Sequence, residues 1–452
     1  MIMSMGSLPQ EILDKITDAA ADESLKSLKR LSATSKCFLQ RCRFHLFGHF
    51  VIFYQLSDKA QRMLEGNPSL FSNVRSLRIW VRESPIAEIS ENEREQISRV
   101  LDKLTNLETL WLNDQGSPYL HHDPEAQPIY LSHCKHAFAR LFARPKLINI
   151  QIRAFENFKF PIHLLHSAHA LKSLSVQERM AFSEDPDEDL KPKSPWHLTS
   201  LEARNEGLTE IHHLLKSCPS SIYANLVNLQ FTINTVQAHR NSMQIINNAA
   251  EYSALEMLDL YYASRAEVHR CYDELITSGL TIPSFPFLHY MKLWIDLDDH
   301  HPSFLVPDLA ANMIARMLCT NAQPLLAVAD AIFAWKTPPI GPDFDREQAF
   351  IDAKRGWDRI DDTFSDATRF PKLCAIGMTP NYDFPYPTSY RLSNKDRKII
   401  WSGTKAATMA AFSRTRAREG MIFGVGIGSP FAEVESRILS ERHEAHYACW
   451  DV

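Results

Sequence analysis

Several short clusters have residue types that could do chemistry, but their spacing does not match a known chemistry. The glycine-rich stretch 424–428 lacks the strand-to-helix context and the third-glycine spacing of a dinucleotide-binding turn. Residues 402–405, Ser-Gly-Thr-Lys, are only superficially like a phosphate-binding loop. His133, Cys134 and His136 do not have a recognised metal-ligand spacing. We therefore predict no catalytic residue, no metal site and no cofactor, and do not expect an enzyme.

Composition and charge set the class of protein. The chain has 452 residues, of which 45% are hydrophobic and 23% charged, with a formal net charge of −5. These values are typical of a globular protein and exclude a collagen-like or wholly disordered chain. The near-balance of charge gives no general attraction to nucleic acid or to an anionic membrane, so neither is an expected partner. Eight cysteines without a CxxC pair, and a start without a signal-peptide pattern, predict a soluble cytoplasmic or nuclear protein.

The first fifty residues have the spacing of three short amphipathic helices. Pro9 suits the first turn of a helix, and Ile12 and Ile16 then fall on one face. A second helix is predicted after Ser24 and a third after Ser35. Three such helices form a small core that is marginal by itself, so this module is expected to bury apolar surface against a partner or the next domain.

The residues of this module resemble an F-box. The resemblance is carried by Leu8-Pro9-x-Glu11-Ile12-Leu13-x-x-Ile16, Leu25, Leu28, Leu31 and Ser35-x-x-Phe38. It implies docking on the small adaptor subunit of an SCF-type cullin–RING ubiquitin ligase, and through the adaptor on the cullin. The residues implied in adaptor contact are Leu8, Pro9, Ile12, Ile16, Leu28 and Leu31. Ala20 stands where the family usually has Leu and Phe38 where many members have Trp, and both departures reduce a hydrophobic contact.

A six-residue frame, apolar-x-x-apolar-x-apolar, recurs through the rest of the chain. It begins at Val74, Leu107, Leu147, Leu171, Leu198, Leu226, Leu255, Leu288 and Leu373. The spacing is 24 to 40 residues until a last gap of 85, which predicts one degenerate unit near Leu325 and Val328. The last two apolar residues of each frame lie two apart, so both point to one side of a short strand. Helices are predicted between frames at Glu91–Leu104, His133–Phe142, Glu210–Lys216, Ala238–Glu251, Ala266–Ser278 and Asp308–Leu318.

Strand and helix alternating at this period predict an α/β fold, and the pattern resembles F-box proteins that carry irregular leucine-rich repeats. We predict a helical F-box-like module at 1–50, a repeat solenoid at 51–380 and a C-terminal cap or extension at 381–452. A doubly wound α/β sheet also alternates strands and helices. Against it, the strands are short and no glycine-rich phosphate turn follows them.

A solenoid would present the outward strand positions on its concave face. Large aromatic and Arg side chains, which are favoured at protein-binding hot spots, recur at these positions. The predicted target-binding residues are Arg78, Trp80, Trp111, Arg153, Arg204, Tyr261 and Trp294. The alternative is that adjacent loops cover the rings and leave them with a structural role.

Together these patterns predict a substrate-recognition subunit of an SCF-type ubiquitin ligase, with a target protein that the sequence does not identify. One alternative is a leucine-rich-repeat scaffold that no longer engages the ligase. A third hypothesis, from another class, is an enzyme whose site is built in residues 336–452.

Overall fold

The computed structural model divides into two compact units, Met1–Leu198 (unit 1) and Thr199–Val452 (unit 2). The residues that it describes are 8–53, 58–80, 91–114, 134–183, 196–218, 220–263, 267–279, 281–296, 306–336, 357–383, 402, 405–406 and 408–425. Within this part of the chain, no helix is both long and apolar enough to cross a lipid bilayer.

Unit 1 begins with three helices, as predicted. They are α1 (Gln10–Glu23), α2 (Leu25–Thr34) and α3 (Lys36–Phe47). The side chain of Ser24 accepts a hydrogen bond from the backbone N–H of Ser27, and that of Ser35 from the N–H of Cys37. Each serine therefore satisfies an amide that the start of a helix leaves without a partner, and the two caps separate three helices in a short stretch of chain.

The three helices enclose their own small core. Leu13, Leu28, Phe38 and Cys42 are between 0% and 4% exposed and pack against one another. At the edge of this core, Asp18 of α1 accepts hydrogen bonds from Arg41 at 2.7 and 2.9 Å. The Arg41 guanidinium holds the pKa of Asp18 at about 2, well below its ordinary value.

The remainder of unit 1 alternates strands and helices. Its elements are β1 (His49–Phe53), α4 (Asp58–Gly66), a 3-10 turn (Pro68–Asn73), β2 (Ser76–Trp80), α5 (Glu91–Lys103), β3 (Thr109–Asp114), α6 (Lys135–Phe142), β4 (Asn149–Pro161), α7 (Ile162–Ser167) and β5 (Ser173–Ser183). The strands pair in parallel and in chain order, and α6 contacts both α5 and α7. The result is a layer of strands with a layer of consecutive helices.

Unit 2 continues the same alternation. Its elements are β6 (Ser200–Arg204), α8 (Gly207–Ser217), a 3-10 turn (Ser220–Tyr223), β7 (Asn228–Ile233), α9 (Val236–Tyr252), β8 (Met257–Tyr262), α10 (Glu267–Ser278), β9 (Tyr290–Asp296), α11 (Val306–Leu318), β10 (Val328–Lys336), α12 (357–365), β11 (Ala375–Asp383), the helical turn Ser413–Arg416 and β12 (Ile422–Val425). All seven strands pair in parallel and in chain order. The six helices predicted between frames are present, with small differences at their ends.

The strand order distinguishes between the two α/β architectures considered from the sequence, a repeat solenoid and a doubly wound sheet. A doubly wound sheet reverses its strand order at a switch point, whereas the order in each unit follows the chain without reversal. Among the described strands of each unit, the first does not pair with the last, so neither sheet is closed. The structure is therefore α/β with an N-terminal helical region and parallel strands added one at a time.

A backbone contact recurs where the strands begin. The carbonyl just before a strand accepts two successive N–H groups from the start of the next strand, at 2.8–3.1 Å. These acceptors are Gly48, Arg75, Glu108 and Ile148 in unit 1, and Thr199, Val227, Glu256, His289 and Ala327 in unit 2. The same contact at nearly every step keeps successive strands in one register, so that equivalent side chains form rows.

The predicted degenerate repeat is present as β10. Its register aligns Ala329 with Met291 and Ala331 with Leu293 of β9. All four side chains are at most 2% exposed, so the alanines occupy core positions that larger residues fill elsewhere. A further strand, β12, lies inside the segment predicted as a C-terminal cap or extension and pairs with β11.

Candidate protein-binding surfaces

Helix α1 carries an exposed row of apolar side chains. Leu8, just before the helix, Ile12 and Ile16 are 39%, 42% and 40% exposed. Ile12 and Ile16 are four residues apart and therefore lie on one face of the helix, and Leu8 precedes Ile12 by four positions in the chain. In contrast, Leu13 and Thr17 are buried, and Leu13 packs in the core of the three helices. We call Leu8, Ile12 and Ile16 the α1 apolar ridge. The core of the helical region is complete without these three side chains.

The residues that the F-box resemblance assigned to adaptor contact fall into two groups. Ile12 and Ile16 are exposed on α1, and Leu8 and Pro9 are exposed just before its first residue. In contrast, Leu28 is 0% exposed and Leu31 packs against the core from its edge. Leu28 has no surface to offer a partner in this arrangement, because α2 uses it to hold α1 and α3 together. Leu25, at the first position of α2, is 63% exposed and was not predicted as a contact.

In unit 1 the outward side chains of β1–β5 form the unit 1 strand face. Side chains of β2 alternate between half-buried and buried, with Ser76, Arg78 and Trp80 on the outward side. The register puts Arg78 beside Trp111 of β3, and the Arg78 guanidinium carbon lies 4.6 Å from the centre of the Trp111 ring. Register thus brings two predicted residues into contact that are 33 positions apart in the chain.

Accessibility varies along the unit 1 strand face. Val51 of β1 is 42% exposed, while Arg78, Trp80 and Trp111 are half-buried. Towards β4 and β5 the outward residues Gln151 and Ser175 are buried, at 8% and 1% exposure. Arg153 of β4 is exposed again. The accessible part of this face therefore lies on β1–β3, together with Arg153.

The other three predicted target-binding residues belong to unit 2. Arg204 of β6 donates to Glu202 of the same strand at 2.6 Å, so its charge is already compensated. Tyr261 of β8 and Trp294 of β9 are neighbours in register, with ring centres 4.8 Å apart. Lys292 lies over the Trp294 ring at 5.9 Å. The seven predicted residues thus form one group of four in unit 1 and one of three in unit 2.

Charged residues of the unit 2 strand face, which were not among the predicted contacts, alternate in sign. Lys292 lies in register between Asp259 of β8 and Asp330 of β10. Asp330 is 2% exposed and accepts a hydrogen bond from the Tyr290 hydroxyl at 3.1 Å. Asp259 and Lys292 occupy outward positions of frames that the sequence shows, whereas Asp330 could be found only after β10 had been placed, because the frame of β10 carries the small residues Ala329 and Ala331 at its two core positions.

The clusters that could have done chemistry have ordinary positions where they are described. Gly424 lies in strand β12 opposite Gly377 of β11, not in a turn, and residues 426–428 are outside the described part of the chain. Cys134 is buried, which raises the pKa of its thiol, and His133 is not described. In the described residues, no group of three or more His, Cys, Asp or Glu side chains is arranged to hold a metal ion.

No family model matches this sequence, and no curated protein matches it.

Proposed function

We propose that this protein is a substrate-recognition subunit of an SCF-type ubiquitin ligase. In this proposal the α1 apolar ridge docks on the adaptor subunit, and the strand faces of the repeats hold a target protein. The observation that carries the proposal is the exposure of Leu8, Ile12 and Ile16 on a helical module whose core does not need them. The F-box resemblance of residues 7–47 identifies the adaptor as the partner that such a ridge would fit.

The energetics favour a partner for the ridge. Burying one Ile or Leu side chain is worth about 1.5–3 kcal/mol, so covering three half-exposed side chains would supply several kcal/mol towards association. Single exposed apolar residues are normal on protein surfaces, but a row on one helix face is a typical docking feature. Leu25 at 63% exposure adds apolar surface at the start of α2.

The strand faces supply the second half of the proposed function. A parallel layer built one repeat at a time presents outward residues in rows, and Arg, Trp and Tyr side chains are those most often found at binding hot spots. The subunit would need no catalytic group of its own. It would raise the effective concentration of a target near the ubiquitin carrier by holding that target on a chain that docks on the ligase through the adaptor.

A pull-down with the purified adaptor subunit tests this proposal. We expect wild-type protein to bind, and the double variant Ile12→Asp with Ile16→Asp to lose at least about a hundredfold in affinity, because two buried apolar contacts become charges. Ile276→Asp is the matched control, since Ile276 is 41% exposed but lies on α10 of unit 2. That variant should bind the adaptor as wild type does.

A folded wild-type protein that fails to bind the adaptor would contradict the ligase proposal. It would leave the second candidate, a protein-binding scaffold that does not engage the ligase. The contact between Arg78 and Trp111 favours the scaffold candidate equally, because a strand face can hold a partner whether or not an adaptor is bound.

The enzyme hypothesis for residues 336–452 has less support. Most of that segment is outside the described residues. Its buried carboxylate, Asp361 of α12, accepts N–H groups of Arg414 and Thr415 at 3.1 and 2.8 Å. Those contacts give Asp361 a structural role in attaching the turn Ser413–Arg416 to α12.

A further inference from the structure

The accessible strands of unit 1 have an uneven charge composition. The nine outward positions of the paired stretches Ser76–Trp80, Thr109–Asn113 and Asn149–Arg153 hold two arginines, two tryptophans and no Asp or Glu. On the unit 2 strand face, by contrast, Glu202, Asp259 and Asp330 all occupy outward positions. Among the side chains that the structure describes, Arg78 therefore lies on a part of the unit 1 strand face where the paired outward positions Val51 and Trp111 carry no carboxylate.

Arg78 differs from other arginines of unit 1 in its partner. Arg75 pairs with Glu108 at 2.9 Å, Arg99 with Glu95 at 2.6 Å, and Arg140 with Asp102 at 2.9 Å. Among the described residues, Arg78 has no carboxylate within ion-pair distance, and its contact is the Trp111 ring. Its guanidinium thus contacts an aromatic ring, and no acid in the described part of the chain compensates its charge.

The geometry of this contact suits anion binding. An aromatic ring attracts the guanidinium charge without offering a carboxylate, so the N–H donors that do not point at the ring stay available. Those donors match the two oxygens of a carboxylate or the oxygens of a phosphate group. Val51, exposed on the adjacent strand, offers an apolar contact beside Arg78.

We propose that Arg78, held by Trp111, binds an acidic side chain of the target, so that the unit 1 strand face recognises an acidic peptide segment. The inference rests on the proposed function in one respect: the peptide is taken to belong to the protein that is presented for ubiquitination. The binding step itself requires only the strand face and can be measured without the adaptor.

The test uses full-length protein and a fluorescein-labelled peptide in which Glu alternates with Val. A matched peptide with Gln for Glu is the uncharged control, and a version with phosphoserine for Glu distinguishes a phosphate from a carboxylate. We expect the Glu peptide to bind at least about tenfold more tightly than the Gln peptide, and more weakly as salt is raised, because the contact is charge-assisted.

Variants connect this binding to Arg78. Arg78→Gln should weaken binding of the Glu peptide at least about tenfold, and Arg78→Lys should restore only part of it, because Lys lacks the planar pair of donors. Arg99→Gln removes the same charge from the helix side of unit 1 and should leave the affinity within about twofold. Circular dichroism of each variant verifies that the fold is retained.

The inference would be overturned if wild type and a folded Arg78→Gln variant bound the Glu peptide equally well. It would also be overturned if Arg99→Gln weakened binding of the Glu peptide as much as Arg78→Gln does. Binding of the phosphoserine peptide alone, lost in Arg78→Gln, would support the site and identify phosphate as its anion. If peptide binding fails while the adaptor pull-down succeeds, only this inference falls. If the pull-down fails while Arg78-dependent peptide binding remains, the ligase proposal falls and the peptide site stands.

Discussion

His239 of α9 is a buried titratable side chain with an asymmetric environment. Its Nδ1 lies 3.1 Å from the hydroxyl oxygen of Tyr262, and that hydroxyl lies 3.5 Å from the sulfur of Met317. Within the described residues, Nε2 has no hydrogen-bond partner. The doubly protonated ring would therefore leave its Nε2–H in the interior without an acceptor. Burial lowers the pKa of His239 to about 4, although the nearby Glu274 carboxylate opposes the shift and Arg240 adds to it.

This burial predicts a loss of stability in mild acid. The folded-state pKa lies below the unfolded value near 6.5, so the contribution is complete above pH 6.5 and is lost as the pH falls towards 4. A shift of this size corresponds to about 3 kcal/mol. The side chain of His239→Gln stays neutral at every pH. Between pH 6.5 and pH 4 we therefore expect the unfolding free energy of this variant to fall by about 3 kcal/mol less than that of wild type. Urea unfolding followed by circular dichroism at several pH values measures the difference.

His136→Gln is the control for this prediction, because His136 is an exposed histidine on α6. Its pH profile should follow that of wild type. Parallel pH profiles for wild type and His239→Gln would show that protonation of His239 does not limit stability in acid.

At the level of elements, the connection from β6 to α8 depends on one residue in the left-handed region. Asn205 has φ of 55° and donates its N–H to the carbonyl of Thr232 at 3.1 Å. Asn tolerates this conformation better than residues other than Gly, because its short polar side chain can form local hydrogen bonds. The tight connection lets α8 return along the sheet immediately after β6.

Asn205→Ala should therefore destabilise the protein by about 1–2 kcal/mol, the cost of a positive φ with an ordinary Cβ. Asn205→Gly should be close to wild type. Denaturant midpoints of the two variants measure this, with Asn247→Ala as the control on the exposed side of α9. Equal midpoints for Asn205→Ala and Asn205→Gly would mean that the side chain, and not the backbone conformation, determines the cost.

The sequence predicted most elements because their apolar spacing is strong. Serine caps and leucine stripes identified the N-terminal helices, and the frames identified the strands whose core positions carry large side chains. Three strands had weaker signals. In β10 the core positions are Ala329 and Ala331, and in β12 Gly420 stands where the frame expects Leu. Strand β1 has the frame at Phe47, Phe50 and Ile52, but Phe47, the first residue of that frame, is also the last residue of α3.

The candidate sites were less predictable than the elements, because they depend on contacts between distant residues. Spacing placed Leu28 on an apolar stripe but could not show that this stripe faces the core. The pairing of Arg204 with Glu202 lies within one strand, whereas the contact of Arg78 with Trp111 needs the register of two strands. Arg204 contacts a carboxylate and Arg78 contacts a ring, and this difference can be seen only in the folded chain.

On the scale of the whole molecule, the proposed function requires two partners to bind one chain at the same time. The α1 apolar ridge and Arg78 are both in unit 1 but belong to different elements, a helix and a strand. They share no residue, and their proposed contacts differ in kind: one is apolar and insensitive to salt, and the other is charge-assisted. Substitutions at the two sites are therefore expected to act independently.

This independence predicts a ternary complex. Beads that carry the adaptor should retain wild-type protein together with the labelled Glu peptide. The variant Ile12→Asp with Ile16→Asp should not be retained on the beads but should still bind the peptide in solution. In contrast, Arg78→Gln should be retained on the beads without the peptide. Fluorescence of the bead and solution fractions measures all three. If the peptide instead releases wild-type protein from the adaptor, the two surfaces exclude one another, and a mechanism that positions a target beside the ligase is not possible.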